Sequence, residues 1–334
     1  MTDIRLSVLD QSVSLAGSTE DAAIRDTLDL AQHCERLGYA RFWVSEHHGL
    51  PTIIGSAPEM LMAAIAARTT RIRIGSAGVM LPHYSALKVA EQFRVLEALA
   101  PGRIDLGVGR APGGDMRTAR ALNPNAHAAA DDFPEQVRDL QAWTTLPSHH
   151  GITAHPLGAH APEVWILGSS NYGAQLAAHF GLPYAFAYFF VDGQGAEEAL
   201  AIYRRLYQPS ERRPTPQPTV CVWALVADTH EEACHHALGR ERWRVDRARG
   251  VLGPLQSPDV IAARGFSADE WPTIEAMRSK AFVGTAAEVG AQLRALASEL
   301  RLDELVVNTW AHDPAARRKS YALLAQEFGL QPCS

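Results

Sequence analysis

Apolar positions along this chain fall into two alternating rhythms. Short runs rich in Val, Ile, Leu and aromatic residues read as strands, and longer stretches with an apolar residue every third or fourth position read as helices. Strands are expected at residues 4–9, 42–44, 72–79, 104–109, 164–167, 184–190, 220–226 and 304–307. Helical spacing follows at 18–37, 58–68, 87–100, 131–146, 172–180, 197–207, from 230 onward, and at 285–300 and 314–328. The punctuation agrees with this division. Thr19, Glu20 and Asp21 suit the start of the first helix, where side-chain oxygens meet free amides, and Gly38 suits its end. Pro101-Gly102 ends the third helix in a turn. Residues 113–130 look like loop, and 240–280 break the rhythm as an excursion.

Eight strand-then-helix units with no shift in composition predict one α/β domain over residues 1–334, a (β/α)8 TIM barrel with insertions, the main one around 240–280. The structural rival is a doubly wound sheet. Its phosphate fingerprint, GxGxxG, belongs just after the first strand, where this chain has Asp10-Gln11-Ser12. The barrel is therefore the better reading. With 47% hydrophobic residues and 20% charged ones the composition is that of a globular protein, and the net charge of −6 argues against a nucleic acid partner. Residues 164–191 contain no Asp, Glu, Lys or Arg, which resembles a membrane span. Gly168 to Asn171 and Gly181-Leu182-Pro183 interrupt that run, so it is expected as strand, helix and strand buried in protein, with no membrane partner. The N-terminus enters strand pattern directly, without the apolar run of a secretion signal. The four cysteines (Cys34, Cys221, Cys234 and Cys333) show no paired spacing. Reduced thiols in a cytoplasmic enzyme are the expectation.

In a barrel of this kind, the loops after the strands share one face and carry the chemistry. The stretch 71–115 is the richest, since it holds a strand, a helix, a second strand and a glycine-rich loop at 113–114. Polar tips expected at that face are Asp10-Gln11, Glu46-His47-His48, Ser76-Ala77-Gly78, Arg110, Ser169-Ser170 and Trp310. His47-His48 reads as metal ligands, as a base or hydrogen-bond donor, or as plain loop histidines. The further ligands that a metal hydrolase needs are missing, including any His-Glu-x-x-His, so no metal is expected. Arg110 after Gly107-Val108-Gly109 is either a surface arginine or a fork for phosphate. Ser169-Ser170-Asn171 either caps a helix or seats an anion on its free amides. Together the two would hold one phosphate beside the flat apolar loop from Ala77 to Leu81. Neither a Walker loop nor a Gly-x-Ser-x-Gly nucleophile elbow is present.

Taken in order, Ser45-Glu46-His47-His48, the run from Ile74 to Pro82, the run from Gly102 to Arg110, Leu167-Gly168-Ser169-Ser170, and the run from Val283 to Val289 resemble the bacterial luciferase-like monooxygenases over nearly the whole chain. The likeness is to the single-chain flavin-dependent oxidoreductases of that class. It implies reduced FMN, or in one branch the deazaflavin F420, at the C-terminal mouth of the barrel. Arg110, Ser169 and Ser170 match phosphate-contacting positions, with the amides near Tyr172 and Gly173 beside them. Ala77-Gly78 matches a non-proline cis peptide under the flavin ring, and His47 matches the catalytic histidine. The implied reaction is oxygenation of a small organic substrate by reduced FMN and O2, with a separate flavin reductase supplying electrons. Alternatives on the same scaffold are an F420-dependent oxidoreductase and a non-catalytic flavin-binding protein. A homodimer through the second and third helices is also implied. The chain departs from luciferase in having Ser169 where that enzyme has glutamate, and in residues 240–280, the region of the family's mobile lid. Gln11, His48, Tyr84, Tyr188 and Trp310 are the expected substrate-pocket residues.

Overall fold

Nine strands are found in the computed structural model, which describes residues 4–110 and 114–331. Gly113 of the expected glycine-rich loop and Cys333 lie outside the described residues. The strands are β1 (Arg5–Asp10), β2 (Arg41–Val44), β3 (Arg73–Met80), β4 (Ile104–Gly109), β5 (Glu163–Gly168), β6 (Tyr184–Phe186), β7 (Pro218–Ala227), β8 (Phe282–Thr285) and β9 (Glu304–Asn308). Eight of them close a ring in the order β1-β2-β3-β4-β5-β6-β7-β9, every pair parallel, with β9 returning to β1. This is the (β/α)8 barrel that the alternating pattern predicts.

Both faces of each strand are covered, which is why the strands read as near-continuous apolar runs. One face of the ring fills its bore with Leu9, Trp43, Trp165, Ala185, Cys221 and Val306. The Trp43 and Trp165 rings meet edge to face at 5.1 Å. The other face meets the surrounding helices through residues such as Val8, Phe42, Ile74, Leu106, Ile166, Val220 and Val307. The N-terminal end of the bore is closed by charge. Buried Arg41 pairs with Asp105 at 2.8 Å and with Glu304 at 2.9 Å, and its guanidinium lies 4.9 Å from the Trp165 ring centre. Arg5 and Arg73 add pairs from the rim. Chemistry is thereby confined to the opposite end.

Three local expectations need correction. The strand expected at 184–190 stops at Phe186, and Tyr188–Phe190 forms a 3-10 turn instead. Ala187 makes the last ladder bond, to Gly168 O, before the chain leaves the barrel. The stretch 113–130, expected as loop, holds the helix Met116–Leu122, capped by Asp115, and most of the helix Ala126–Asp131. Strand β8 was not expected at all. It lies outside the ring and pairs only with the C-terminal half of β7, from Ala224 with Phe282 to Ala227 with Thr285.

Residues 240–280 do not begin with a break. The helix His230–Ala248 runs through Arg240, started by Thr229, whose side chain accepts from the Glu232 amide. Two short helices follow, Pro258–Arg264 and Trp271–Arg278. The segment is tied to the barrel mouth by backbone bonds of Leu255 to Ser14 and Ala16, and by Trp243 Nε1 donating to Thr52 Oγ1 at 2.9 Å. A bidentate Arg242–Glu270 pair, at 2.9 and 2.7 Å, holds its parts together. No helix among the described residues is long and apolar enough to cross a membrane.

Candidate active site

At the C-terminal end of the barrel the strand tips surround a cavity of about 700 Å³, within the range of small-molecule and cofactor sites. Gln11, His47, Ala77, Gly78, Arg110, Ser169, Ser170, Tyr172, Gly173 and Trp310 all line it. Residues from six different strand ends thus meet although up to about 300 positions separate them in sequence. Three expected pocket residues do not line it: His48, Tyr84 and Tyr188. His48 and Tyr84 turn instead toward Glu46, and the Tyr188 ring packs toward Phe282, 6.1 Å away.

The wall between β3 and β4 is built by small residues. The Ala77–Gly78 peptide is cis, and the register between the two strands shifts between Ser76 and Val79. A Cβ on Gly107 would overlap the Ser76 carbonyl, and one on Gly78 would meet Leu167 and stand 2.8 Å from the Gly107 carbonyl oxygen. Ser76 Oγ donates to that same carbonyl at 2.9 Å. Glu46, expected at the mouth but given no role by the sequence, secures the end of the strand. Its Oε2 accepts from the Met80 amide at 3.1 Å, and its Oε1 accepts from Tyr84 at 2.8 Å and contacts His48 Nε2 at 2.8 Å. The buried carboxylate is therefore fully engaged, and His48 and Tyr84 act on the site through it.

His47 faces the cavity from the loop after β2. Its amide donates to Gly55 O at 2.8 Å, and its Nδ1 lies 3.3 Å from Ser45 Oγ. Burial, with smaller contributions from the positive charge of Arg247 and from His48, pushes the imidazole down to about 4. Removing the ring from water disfavours the charged form, and a neighbouring cation adds to the effect. At neutral pH His47 is a neutral imidazole. His47 and His48 belong to no cluster able to hold a metal ion; among the described residues the one such group is Asp139, His149 and His150.

Across the cavity, the helix Asn171–His179 begins at Ser170, whose side chain makes no capping bond. The first amides of that helix are left without a side-chain acceptor, so the arrangement suits an anion better than a simple cap. The Arg110 guanidinium lies 4.2 Å above the centre of the Tyr172 ring, exposed and with no acidic partner among the described residues. A cation and a helix N-terminus at adjacent strand ends match a phosphate in charge and in donors.

Much of the remaining wall comes from residues that sequence reasoning did not place there: Ile53, Trp223, Arg240, Trp243, Arg244 and Arg247. The three arginines follow the helical spacing of four and three residues, so they share one face of the helix His230–Ala248. That spacing was the available signal. Arg244 is neutralised by a bidentate pair with Asp192, both bonds 2.7 Å.

The luciferase-like monooxygenase family model matches residues 4–304. The chain belongs to that family. It is 39% identical to a luciferase-like monooxygenase of Escherichia coli strain K12 over 97% of either chain. It is 37% identical to the N-acetyl-S-alkylcysteine monooxygenase of Bacillus subtilis over 96% of this chain and 97% of that one. The crystal structure of apo-MsnO8 superposes with a TM-score of 0.92 at 36% identity, covering 99% of this chain and all of the other. More distant barrels share the fold. One is the oxygenating constituent of 3,6-diketocamphane monooxygenase of Pseudomonas putida in complex with FMN, with a TM-score of 0.71 at 17% identity over 99% of each chain. Another is an F420-dependent secondary alcohol dehydrogenase, with a TM-score of 0.68 at 14% identity over 98% of this chain and 99% of that one.

Proposed function

We propose that this monooxygenase uses reduced FMN and O2 to oxygenate a small organic substrate. The observation that carries the reading is the meeting, in one cavity, of a small-residue platform at Ala77–Gly78, an anion seat at Arg110 and Ser170, and a neutral imidazole at His47. The residues fit the cofactor. At Gly78 and Gly107 a Cβ would run into Leu167 or a neighbouring carbonyl, so glycine there lets β3 and β4 close into the platform on which a flat ring would lie. Arg110, Ser169, Ser170 and the amides near Tyr172 and Gly173 would take its phosphate. Reduced flavin supplies two electrons to activate O2, chemistry that belongs to the cofactor.

The chain's own part is to bind, to orient and to exclude water. Trp223, Trp243 and Trp310 give the cavity apolar walls, and the helix end from Arg240 to Ala248, tied by Trp243 to Thr52 in the loop after β2, forms one side of it. A dry site protects a reactive oxygen donor from hydrolysis. With its Nδ1–H assigned to Ser45 Oγ, His47 presents Nε2 as an acceptor for a proton from the substrate. Gln11 Oε1 accepts from Asn308 Nδ2 at 2.6 Å and from Trp310 Nε1 at 3.1 Å, which keeps that side of the floor rigid.

No dinucleotide fingerprint is evident in the sequence, so a separate flavin reductase is the proposed electron source and the cytoplasm the proposed setting. A homodimer is proposed through the helices Pro58–Ala66 and Ala86–Leu99, where Met60, Val95 and Leu99 are 69%, 48% and 60% exposed. Sedimentation of a monomer at micromolar concentration would refute that. F420 is the alternative cofactor, since one barrel of the same fold is F420-dependent by name. Fluorescence titration with FMN and F420, followed by O2 uptake with reduced FMN, separates the two. Tight F420 binding with no O2 uptake would overturn the monooxygenase reading.

A further inference from the structure

The helix His230–Ala248 carries several arginines, three of which line the cavity, and they are not equivalent. Arg242 is paired with Glu270 and Asp246, and Arg244 with Asp192. Arg240 has no acidic partner within ion-pair distance among the described residues. It lines the cavity with its guanidinium 4.3 Å from the centre of the Trp223 ring, and it makes one long hydrogen bond, of 3.4 Å, to Phe189 O. A guanidinium carries five N–H donors, so most of them are left for something else. Arg247, two turns farther along the same face, lies 5.2 Å from the Trp243 ring and 5.6 Å from the Phe190 ring and also has no ion pair among the described residues.

The cavity offers these cations no counter-charge of its own. Glu46 is the one acidic residue in its described lining, and both its oxygens are engaged by Met80, Tyr84 and His48. A guanidinium held among indole rings without a carboxylate pays a desolvation cost that an anionic ligand would relieve. Burial, with Arg244 close by, pushes Arg240 down to about 9. A planar carboxylate matches one guanidinium fork and one charge, whereas a phosphate dianion is better served by the seat at Arg110.

We propose that the substrate is an organic carboxylic acid whose carboxylate is held by Arg240, with Arg247 beside it, and whose apolar body packs on Trp223, Trp243 and Trp310. The assignment rests on the cofactor occupying the Arg110 end of the cavity. Its chemical class is a monoanion with an aryl, alkyl or N-acylated body.

The test is calorimetric binding to the full-length flavin-free protein of phenylacetate, 4-methylpentanoate and N-acetylphenylalanine, each against its primary amide, with FMN titrated separately. At least one acid is expected to bind tenfold or more tighter than its amide. Arg240→Met should erase that preference while leaving FMN affinity within about twofold, and Arg240→Lys should retain part of it. Equal binding of every acid and amide, failure of every acid to bind, or a preference that survives in a folded Arg240→Met protein would each overturn the proposal. The acid-to-amide comparison needs no variant, so misfolding of one does not shelter the idea. Absence of FMN binding with the acid preference intact would sink the cofactor reading and leave the carboxylate site supported.

Discussion

His47 offers the most direct physical test of the site, because its environment separates it from an ordinary histidine by more than two decades of proton affinity. An exposed imidazole titrates near 6.5, and this one is pushed down to about 4, first by burial and then by Arg247. At pH 6 an unperturbed ring is about three-quarters protonated and this one about 1%. The unfolded chain takes up the proton near 6.5 while the folded chain resists until about 4. The stability associated with His47 is therefore fully present above pH 6.5 and is withdrawn as pH falls toward 4. The loss is at most about 3 kcal/mol at 1.36 kcal/mol per decade, less to the extent that solvent reaches the ring from the cavity. The assay is the difference in urea stability between wild type and His47→Gln at pH 7.5, 5.5 and 4.5, alongside the NMR titration of the ring carbon that the variant lacks. Wild type should lose its advantage over the variant as the pH drops. Arg247→Gln should raise the titration midpoint, though not to 6.5, since burial is the larger cause. A His47 midpoint at 6 or above, or a stability difference flat from pH 7.5 to 4.5, would refute the argument that burial sets this ring apart from an ordinary histidine.

Two further changes probe the opposite wall. Arg110→Ala should weaken FMN binding by about 1.5–3 kcal/mol, the scale of a hydrogen bond to a charged group; unchanged affinity in a fluorescence titration removes Arg110 from the phosphate seat. Gly78→Ala places a Cβ against Leu167 and 2.8 Å from the Gly107 carbonyl. Leu167 is able to shift but the backbone is not, so a loss of about 1–3 kcal/mol in stability is expected, together with weaker FMN binding. A variant of wild-type stability and affinity would show that the platform has slack.

The barrel was legible because parallel strands buried on both faces leave dense apolar runs, and helices leave their own period between them. Strand β8 left no such trace. It is four residues long, includes Gly284, and ends in Thr285, which already serves as the cap of the next helix. That the residues proposed for the cofactor would line one cavity was legible for a related reason. Arg110 and Ser169-Ser170 stand immediately after strands and Ala77-Gly78 near the C-terminal end of one, where position in sequence fixes position in space. Adjacent residues were harder to assign. His47 faces the cavity and His48 turns to Glu46, a division that sequence does not reveal for neighbouring histidines in an irregular loop. The arginine face was missed because residues 240–280 were expected to leave the barrel at Arg240, whereas the helix continues through it for another two turns. Its significance depends on which arginines find acidic partners, and Asp192 and Glu270 lie far from them in sequence.

The two ends of the cavity are therefore built by different means. At one end, backbone and small residues on the strands make a platform and an anion seat, so the geometry is fixed by the closure of the barrel itself. At the other, long side chains project from a helix belonging to a segment tied on by a few hydrogen bonds and ion pairs. A substitution on that helix alters charge and shape at the substrate end without moving β3, β4 or β5. The same barrel is thus free to keep its platform and anion seat while its substrate end changes. By this reasoning, the unpaired charge of Arg240 belongs to the end of the site proposed to hold the substrate, while Arg110 belongs to the end proposed to hold the cofactor.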